Sequence, residues 1–249
     1  MASTNHTTSD LYTLWAPTYD TDGNILQAID SAQLTTSLLP TLSALLSQRP
    51  NTEPLTLLDL GSGTGRTTLL LAAHPWPNPP ALTACDSSAA MLAVARAKCP
   101  DTVSFALCDP FSPSSSTLPD AAFDGVTSTL VLEHIPLQTY FRTLASLLKP
   151  GGLAAVTNMH PDMGAGTQAG FKDEGGVRLK GESFVHGVRE SVEAAREAGL
   201  ERVGDVREVE VDEGMLEGFG EGVRKGARKW VGRRVWFGLV LRKREEREA

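Results

Sequence analysis

Residues 57–68 read LLDLGSGTGRTT: an apolar run ends in an acid, passes through three alternating glycines and enters the helical stretch TTLLLAA. Few local patterns constrain a fold as strongly. Glycines at 61, 63 and 65 accept a left-handed backbone and let a ligand approach the main chain. The pattern predicts the first strand–turn–helix unit of an α/β sheet, with binding along the carboxyl edge of the strands.

The rest of the chain repeats the pattern. Strand-like runs fall at 55–60, 81–86, 103–109, 123–130 and 152–158, separated by helical runs such as SSAAMLAVARAK and LQTYFRTLASLLK. Strand and helix in alternation predict a parallel sheet covered on both faces. Before them, residues 25–48 read as a helix that Pro40 kinks or divides. After them, residues 160–184 are rich in glycine and charge and read as a mobile loop or lid, followed by a helix in VRESVEAAREAG.

Residues 201–221 carry eight acids, and residues 224–244 carry nine basic residues and no acid. The basic run alternates with apolar residues. VREVEV and RRVWFGLVLRK are therefore expected to pair as antiparallel strands with opposite charges facing, rather than to bind nucleic acid. The closing RKREEREA is expected to fray. At 249 residues and 41% hydrophobic content the chain buries a full core as one domain. A net charge of −7 disfavours nucleic acid and anionic membranes. No apolar run nears the roughly 20 residues of a membrane span, and the polar start MASTNHTTSD shows no secretory signal. Three cysteines without a CxxC suggest neither a disulfide framework nor a zinc site. A soluble cytoplasmic protein is expected, and the sequence fixes no oligomeric state.

The ligand follows from the glycine spacing and three acids. A dinucleotide turn needs a third glycine where this chain has Arg66, and no Gly-Lys-Ser/Thr follows to make a phosphate loop. Asp59 precedes the first glycine, where a carboxylate would repel a pyrophosphate and welcome an ammonium group. Asp86 closes the next strand, placed to accept both hydroxyls of a ribose, and Asp109 closes the third, toward an adenine amino group. An amino acid at one end, adenosine at the other and no phosphate describes S-adenosyl-L-methionine.

These motifs together resemble those of class I S-adenosylmethionine-dependent methyltransferases, in the branch similar to ubiquinone and menaquinone biosynthesis methyltransferases. LLDLGSGTGRTT resembles motif I, LTACDSSAAML motif II and FALCDP the adenine-side motif, with FDGVTSTLVLEHI and LLKPGGLAAVTN matching the fourth strand and the turn into the fifth. LYTLWAPTYD resembles an amino-terminal cap over the cofactor. The resemblance implies a Rossmann-like three-layer αβα sandwich, with a mostly parallel seven-stranded sheet whose last strand is antiparallel, plus an N-terminal helical cap. Residues 1–249 would form a single domain: cap 11–50, cofactor-binding core 55–158, substrate lid and C-terminal strands 159–249. A helical insertion is expected near 213–229, between the last two strands. Cofactor contacts are implied for Asp59, Gly61, Gly63, Asp86, Ser87, Met91, Asp109, Pro110 and Thr129, and from the cap for Tyr12 and Tyr19. For the two tyrosines, and for Trp15, ordinary helix packing is the competing expectation.

Methyl transfer from a sulfonium needs alignment more than acid–base help. The catalytic candidates are His134, weighed against a histidine satisfied by backbone at a helix start, and His160, weighed against mere lining, with Asn158 and Asp162 to orient it. No cluster has metal-ligand spacing, so a metal-independent enzyme is expected. The segment after strand four lacks the Asn/Asp-Pro-Pro-aromatic signature of amino-directed nucleic-acid enzymes. A small organic acceptor is expected, such as a phenol, an activated carbon or an amine of a specialised metabolite. Two rivals stand beside this: an S-adenosylmethionine-binding protein that supports another reaction such as a cyclisation, and a nicotinamide-dependent oxidoreductase, which the glycine spacing disfavours.

Overall fold

The structure, a computed structural model, describes residues 3–49, 53–112, 118–172 and 175–245. In chain order its elements are β1 (Ser3–His6), α1 (Thr8–Trp15), α2 (Ile25–Gln33), α3 (Leu39–Leu46), β2 (Thr56–Leu60), α4 (Arg66–Ala73), β3 (Ala81–Asp86), α5 (Ala89–Lys98), β4 (Ser104–Leu107), β5 (Phe123–Thr129), α6 (Leu137–Leu147), β6 (Leu148–Met159), α7 (Pro161–Gly164), β7 (Gly170–Lys172), β8 (Arg178–Gly181), α8 (Val188–Glu197), β9 (Leu200–Arg202), β10 (Arg207–Glu210), α9 (Glu213–Glu217), α10 (Glu221–Ala227) and β11 (Arg234–Lys243). Each of the five strand-like runs of the sequence holds a strand, β2 to β6. Among the described residues no helix is long and apolar enough to cross a membrane.

The main sheet runs β10-β11-β6-β5-β2-β3-β4, with β9 also paired to β11. Neighbours from β6 to β4 are parallel, and β11 lies antiparallel to β6. β9 faces Leu241–Lys243 and β10 faces Arg234–Gly238, so the two occupy one edge position in succession. The sheet thus has seven positions and a mostly parallel, Rossmann-like order. Order reverses between β2 and β5, which opens a crevice at their carboxyl ends.

Side-chain alternation splits the core between the faces of the sheet. Leu57 and Trp236 join α2 and α3 on one face, while Leu58 and Phe237 join Tyr140 and Phe141 of α6 on the other, with Ala194 of α8 behind them. α2 and α3 therefore belong to the helical layer on the sheet, and the part of the amino-terminal region that lies over the crevice is shorter than 11–50. Between them Leu34–Leu38 form a π-helical turn in which the Leu39 amide donates to Leu34 O. Pro40, which has no N–H to donate, follows at the start of α3.

Four expectations change or gain detail. The glycine-rich segment is not simply a loop: it contains α7 and the hairpin β7–β8, and β1 from the amino-terminal tail adds to β8 in parallel. Such short polar strands carry no apolar alternation to reveal them. The acidic and basic runs do pair, with Glu210 opposite Arg234 and Arg234 Nη1 3.2 Å from Glu208 Oε1. The expected insertion between β10 and β11 is α9 and α10. In the tail expected to fray, β11 continues to Lys243, and residues 246–249 lie outside the described residues.

Candidate active site

The glycine turn after β2 forms the floor of the crevice. Gly61 has φ +73, and a side chain there would collide with Val131 Cγ2. Gly63 has φ +54 and nothing within 4 Å of the place a Cβ would take, so its main chain faces open space. The turn is held by Asp86: its Oδ2 accepts from the Gly63 amide at 2.8 Å and its Oδ1 from the Ser88 amide at 2.8 Å. Burial pushes the Asp86 carboxyl up, against the lowering effect of these amides. Asp109 Oδ1 accepts from the Phe111 amide at 3.0 Å.

A cleft of about 170 Å³ opens over this floor. Tyr12, Tyr19, Gly61, Gly63, Asp86, Ser87, Asp109, Pro110, Thr129 and His134 all line it, brought together from α1, three strand ends and the turn after β5. Leu130, at φ +57, stands between this cleft and a second cavity. A branched residue held there stores on the order of 1–2 kcal/mol of strain, a common mark of functional sites.

Three anticipated residues fall elsewhere. Asp59 is fully buried beneath the turn, where the Thr68 hydroxyl donates to Oδ2 at 2.6 Å and Thr127 to Oδ1 at 3.4 Å. Burial pushes its carboxyl up to about 6. It braces the turn rather than lining the cleft. Met91 is buried with Trp15 and Ala16, packing the cap on α5. His160 lines neither cavity. Its Nδ1 accepts from the Asp162 amide at 3.1 Å as the N-cap of α7, which leaves Nε2 to donate to Glu208 Oε1 at 2.8 Å. Both ring nitrogens are thus engaged, and the ring lies 6.5 Å from that of Phe237 in β11. Asp162 does contact it, 3.5 Å away, whereas Asn158 Oδ1 accepts from the Glu133 amide.

The amino-terminal segment closes one side. Tyr12, Trp15 and Tyr19 form one aromatic cluster, and Trp15 stacks on Phe171 of β7 at 5.2 Å. Asp20 anchors the segment's end, accepting from Thr64 of the glycine turn at 2.6 Å and from Lys98 at 2.6 Å. Where a dinucleotide turn has glycine, Arg66 instead donates to Asp30 at 2.6 Å and to Ser31 at 3.0 Å, tying α2 to α4.

The second cavity, about 250 Å³, shares Tyr12, Tyr19 and Leu130 with the cleft. Glu133 lines it, 5% exposed and pushed by burial up to about 8. Glu133 has no sequence signal that sets it apart from its neighbour His134; only its depth in the fold marks it.

These residues suit S-adenosylmethionine. Open space over Gly63, acids at the ends of β3 and after β4, and no phosphate-binding loop match a ligand with hydroxyls and amino groups but no phosphate. Fold and site define an α/β protein of the methyltransferase type. The comparisons agree. A family model described as a methyltransferase domain matches residues 58–156. An uncharacterized methyltransferase of Emericella nidulans is 40% identical over 261 residues, covering 93% of this chain and 89% of that protein. An S-adenosylmethionine-dependent methyltransferase structure from Mesorhizobium loti aligns with TM-score 0.58 and 22% identity, over 80% of this chain and 96% of that one. The DhpI–SAH complex aligns with TM-score 0.61 and 19% identity, over 95% of each chain. The chain belongs to the class I S-adenosylmethionine-dependent methyltransferase family, and S-adenosylmethionine is its cofactor.

Proposed function

We propose that the protein transfers the methyl group of S-adenosylmethionine to a small organic acceptor held in the second cavity. The observation that carries this is the junction of the two spaces. A cavity of about 250 Å³, on the scale of a small molecule, meets the cofactor cleft at Tyr12, Tyr19 and Leu130.

In this reading Asp86 accepts from the ribose, Asp109 and Pro110 border the adenine with Ser87, and Gly61, Gly63 and Thr129 border the methionine end. The bound cofactor supplies an activated methyl group. The chain holds the acceptor in line with it and excludes water behind the Tyr12–Trp15–Tyr19 cluster, which by alignment alone removes roughly 7–11 kcal/mol of barrier. Residues 1–249 act as one domain, and the acceptor is a specialised metabolite met in the cytoplasm rather than a polymer or a membrane lipid.

Filling the cavity tests the reading. Met163 lines the second cavity and not the cleft. Met163→Trp should leave S-adenosylhomocysteine affinity within about twofold and abolish acceptor-dependent turnover in a small-molecule screen. Turnover that survives a folded, cavity-filled variant would move the acceptor elsewhere.

A further inference from the structure

Neither the fold nor the cofactor cleft uses the Glu133 carboxyl. Its backbone is pinned: the amide donates to Asn158 Oδ1 at 3.1 Å and the carbonyl accepts from the Phe184 amide at 2.6 Å. The side chain lines the second cavity, and its buried Oε2 has no hydrogen-bond partner. His134 Nε2 lies 3.6 Å from Oε1, beyond hydrogen-bond reach, and already faces the Tyr12 hydroxyl. A buried acid left open on a cavity wall awaits a donor from the ligand.

The surroundings indicate which donor. Tyr12, Trp15 and Tyr19 stand on one side with ring centroids 5.0–5.8 Å apart, and Trp230 lines the same cavity. Aromatic faces attract cations, and a carboxylate meets an ammonium in a charge-assisted bond that gains strength in a dry site. We propose that the acceptor carries a basic nitrogen, which Glu133 receives as an ammonium group inside the aromatic-walled cavity. This rests on the reading of that cavity as the acceptor site.

The other groups that face Glu133 are compatible with a cation. His134 is held toward its neutral form by burial, and Tyr12 and Tyr19 are held well above the ordinary tyrosine range, also chiefly by burial. Asn158 is uncharged. Asp22, Arg178 and Lys229 line the cavity from exposed positions; burial pushes the Asp22 carboxyl up, and Lys229 Nζ lies 5.0 Å from the Trp230 ring centroid, a cation already on that face. Burial holds Glu133 as a neutral acid in the empty protein. An arriving ammonium draws it into the carboxylate form, and the displaced proton leaves to solvent.

The test is calorimetry on the full chain, with a panel of arylalkylamines, beginning with benzylamine, against the matched alcohols. At pH 7 the amines should bind with release of about one proton, read by comparing phosphate and Tris buffers. Glu133→Gln should weaken amine binding roughly 10- to 100-fold, remove the proton release and leave the alcohols unchanged. Lys229→Ala removes the ammonium that lies over Trp230 and should tighten amine binding about two- to fivefold; weaker amine binding in that variant would overturn the aromatic-wall part of the assignment. Alcohols binding as well as amines, amines binding without proton release, or a Glu133→Gln variant with wild-type amine affinity would each overturn the assignment while leaving the cavity as a small-acceptor site. If no probe of either kind binds, the cavity reading falls with it.

Discussion

The Tyr12 hydroxyl lies 2.9 Å from His134 Nε2, joining residues 122 positions apart. The other ring nitrogen, Nδ1, is 3.1 Å from the Glu182 carbonyl, which can only accept. Nδ1 therefore carries the proton, and Nε2 accepts from Tyr12. His134 is a neutral strut between the amino-terminal segment, the turn after β5 and the strand region near β8. It lines the cleft, and its contact with the Glu182 carbonyl fits the expectation of a histidine satisfied by backbone better than that of a free base.

Removing that strut should loosen the segment over the cleft. Tyr12→Phe is expected to lower S-adenosylhomocysteine affinity by about 0.5–1.5 kcal/mol. It should also raise amide exchange across residues 8–20. Unchanged affinity together with unchanged exchange would show that the Tyr12–His134 bond does not hold the cleft closed.

Asp86 both shapes the glycine turn and faces the cleft. Asp86→Ala should weaken cofactor binding by roughly 1.5–3 kcal/mol, since a charged acceptor for hydroxyls is lost. The Gly63 and Ser88 amides also lose their partner, so the melting temperature should fall as well. Calorimetry that finds wild-type affinity in the folded variant would remove Asp86 from the ribose site.

His160→Gln should act on stability and not on chemistry. Loss of the α7 cap and of the bond to Glu208 is expected to cost about 1–3 kcal/mol. Cofactor affinity and turnover should stay near normal. A loss of turnover of 100-fold or more with the fold intact would return His160 to the mechanism.

The sheet and most of the cleft were legible in the sequence because they rest on local signals. Apolar runs set the strands, the LGSGTG spacing set the turn, and Asp86 and Asp109 sit at strand ends where position alone gives direction. Asp59 and His160 misled for one reason: a strand end fixes where a residue lies, but neighbours distant in sequence decide where its side chain goes. Thr68 and Thr127 take Asp59 inward, and Glu208, 48 positions away, takes the His160 ring. Glu133 was invisible for the complementary reason. Its character comes from burial against α1 and β6, and no spacing records that.

The Glu133 carboxyl also makes stability depend on pH. It ionises near 4.5 when exposed and near 8 when folded. Below about 4.5 it is protonated in both states. As pH rises from there to about 8, the folded chain holds the extra proton and stability falls, by an amount on the order of a few kcal/mol. Glu133→Gln should therefore raise the melting temperature at pH 8.5 by roughly 5 °C or more and have little effect at pH 4.5. An equal shift at both values would place the Glu133 carboxyl in ordinary solvent.

If the turn after β2 cradles S-adenosylmethionine, Gly63 is the position where a side chain must interfere. The open space beside it leaves room for a ligand, and its φ of +54 strains any β-branched side chain, which would also intrude on that space. Titration of S-adenosylhomocysteine into the wild type and Gly63→Val, each checked for cooperative melting, should show saturable one-to-one binding in the first and none in the second. A folded Gly63→Val protein that binds with wild-type affinity would show that the turn does not hold the cofactor.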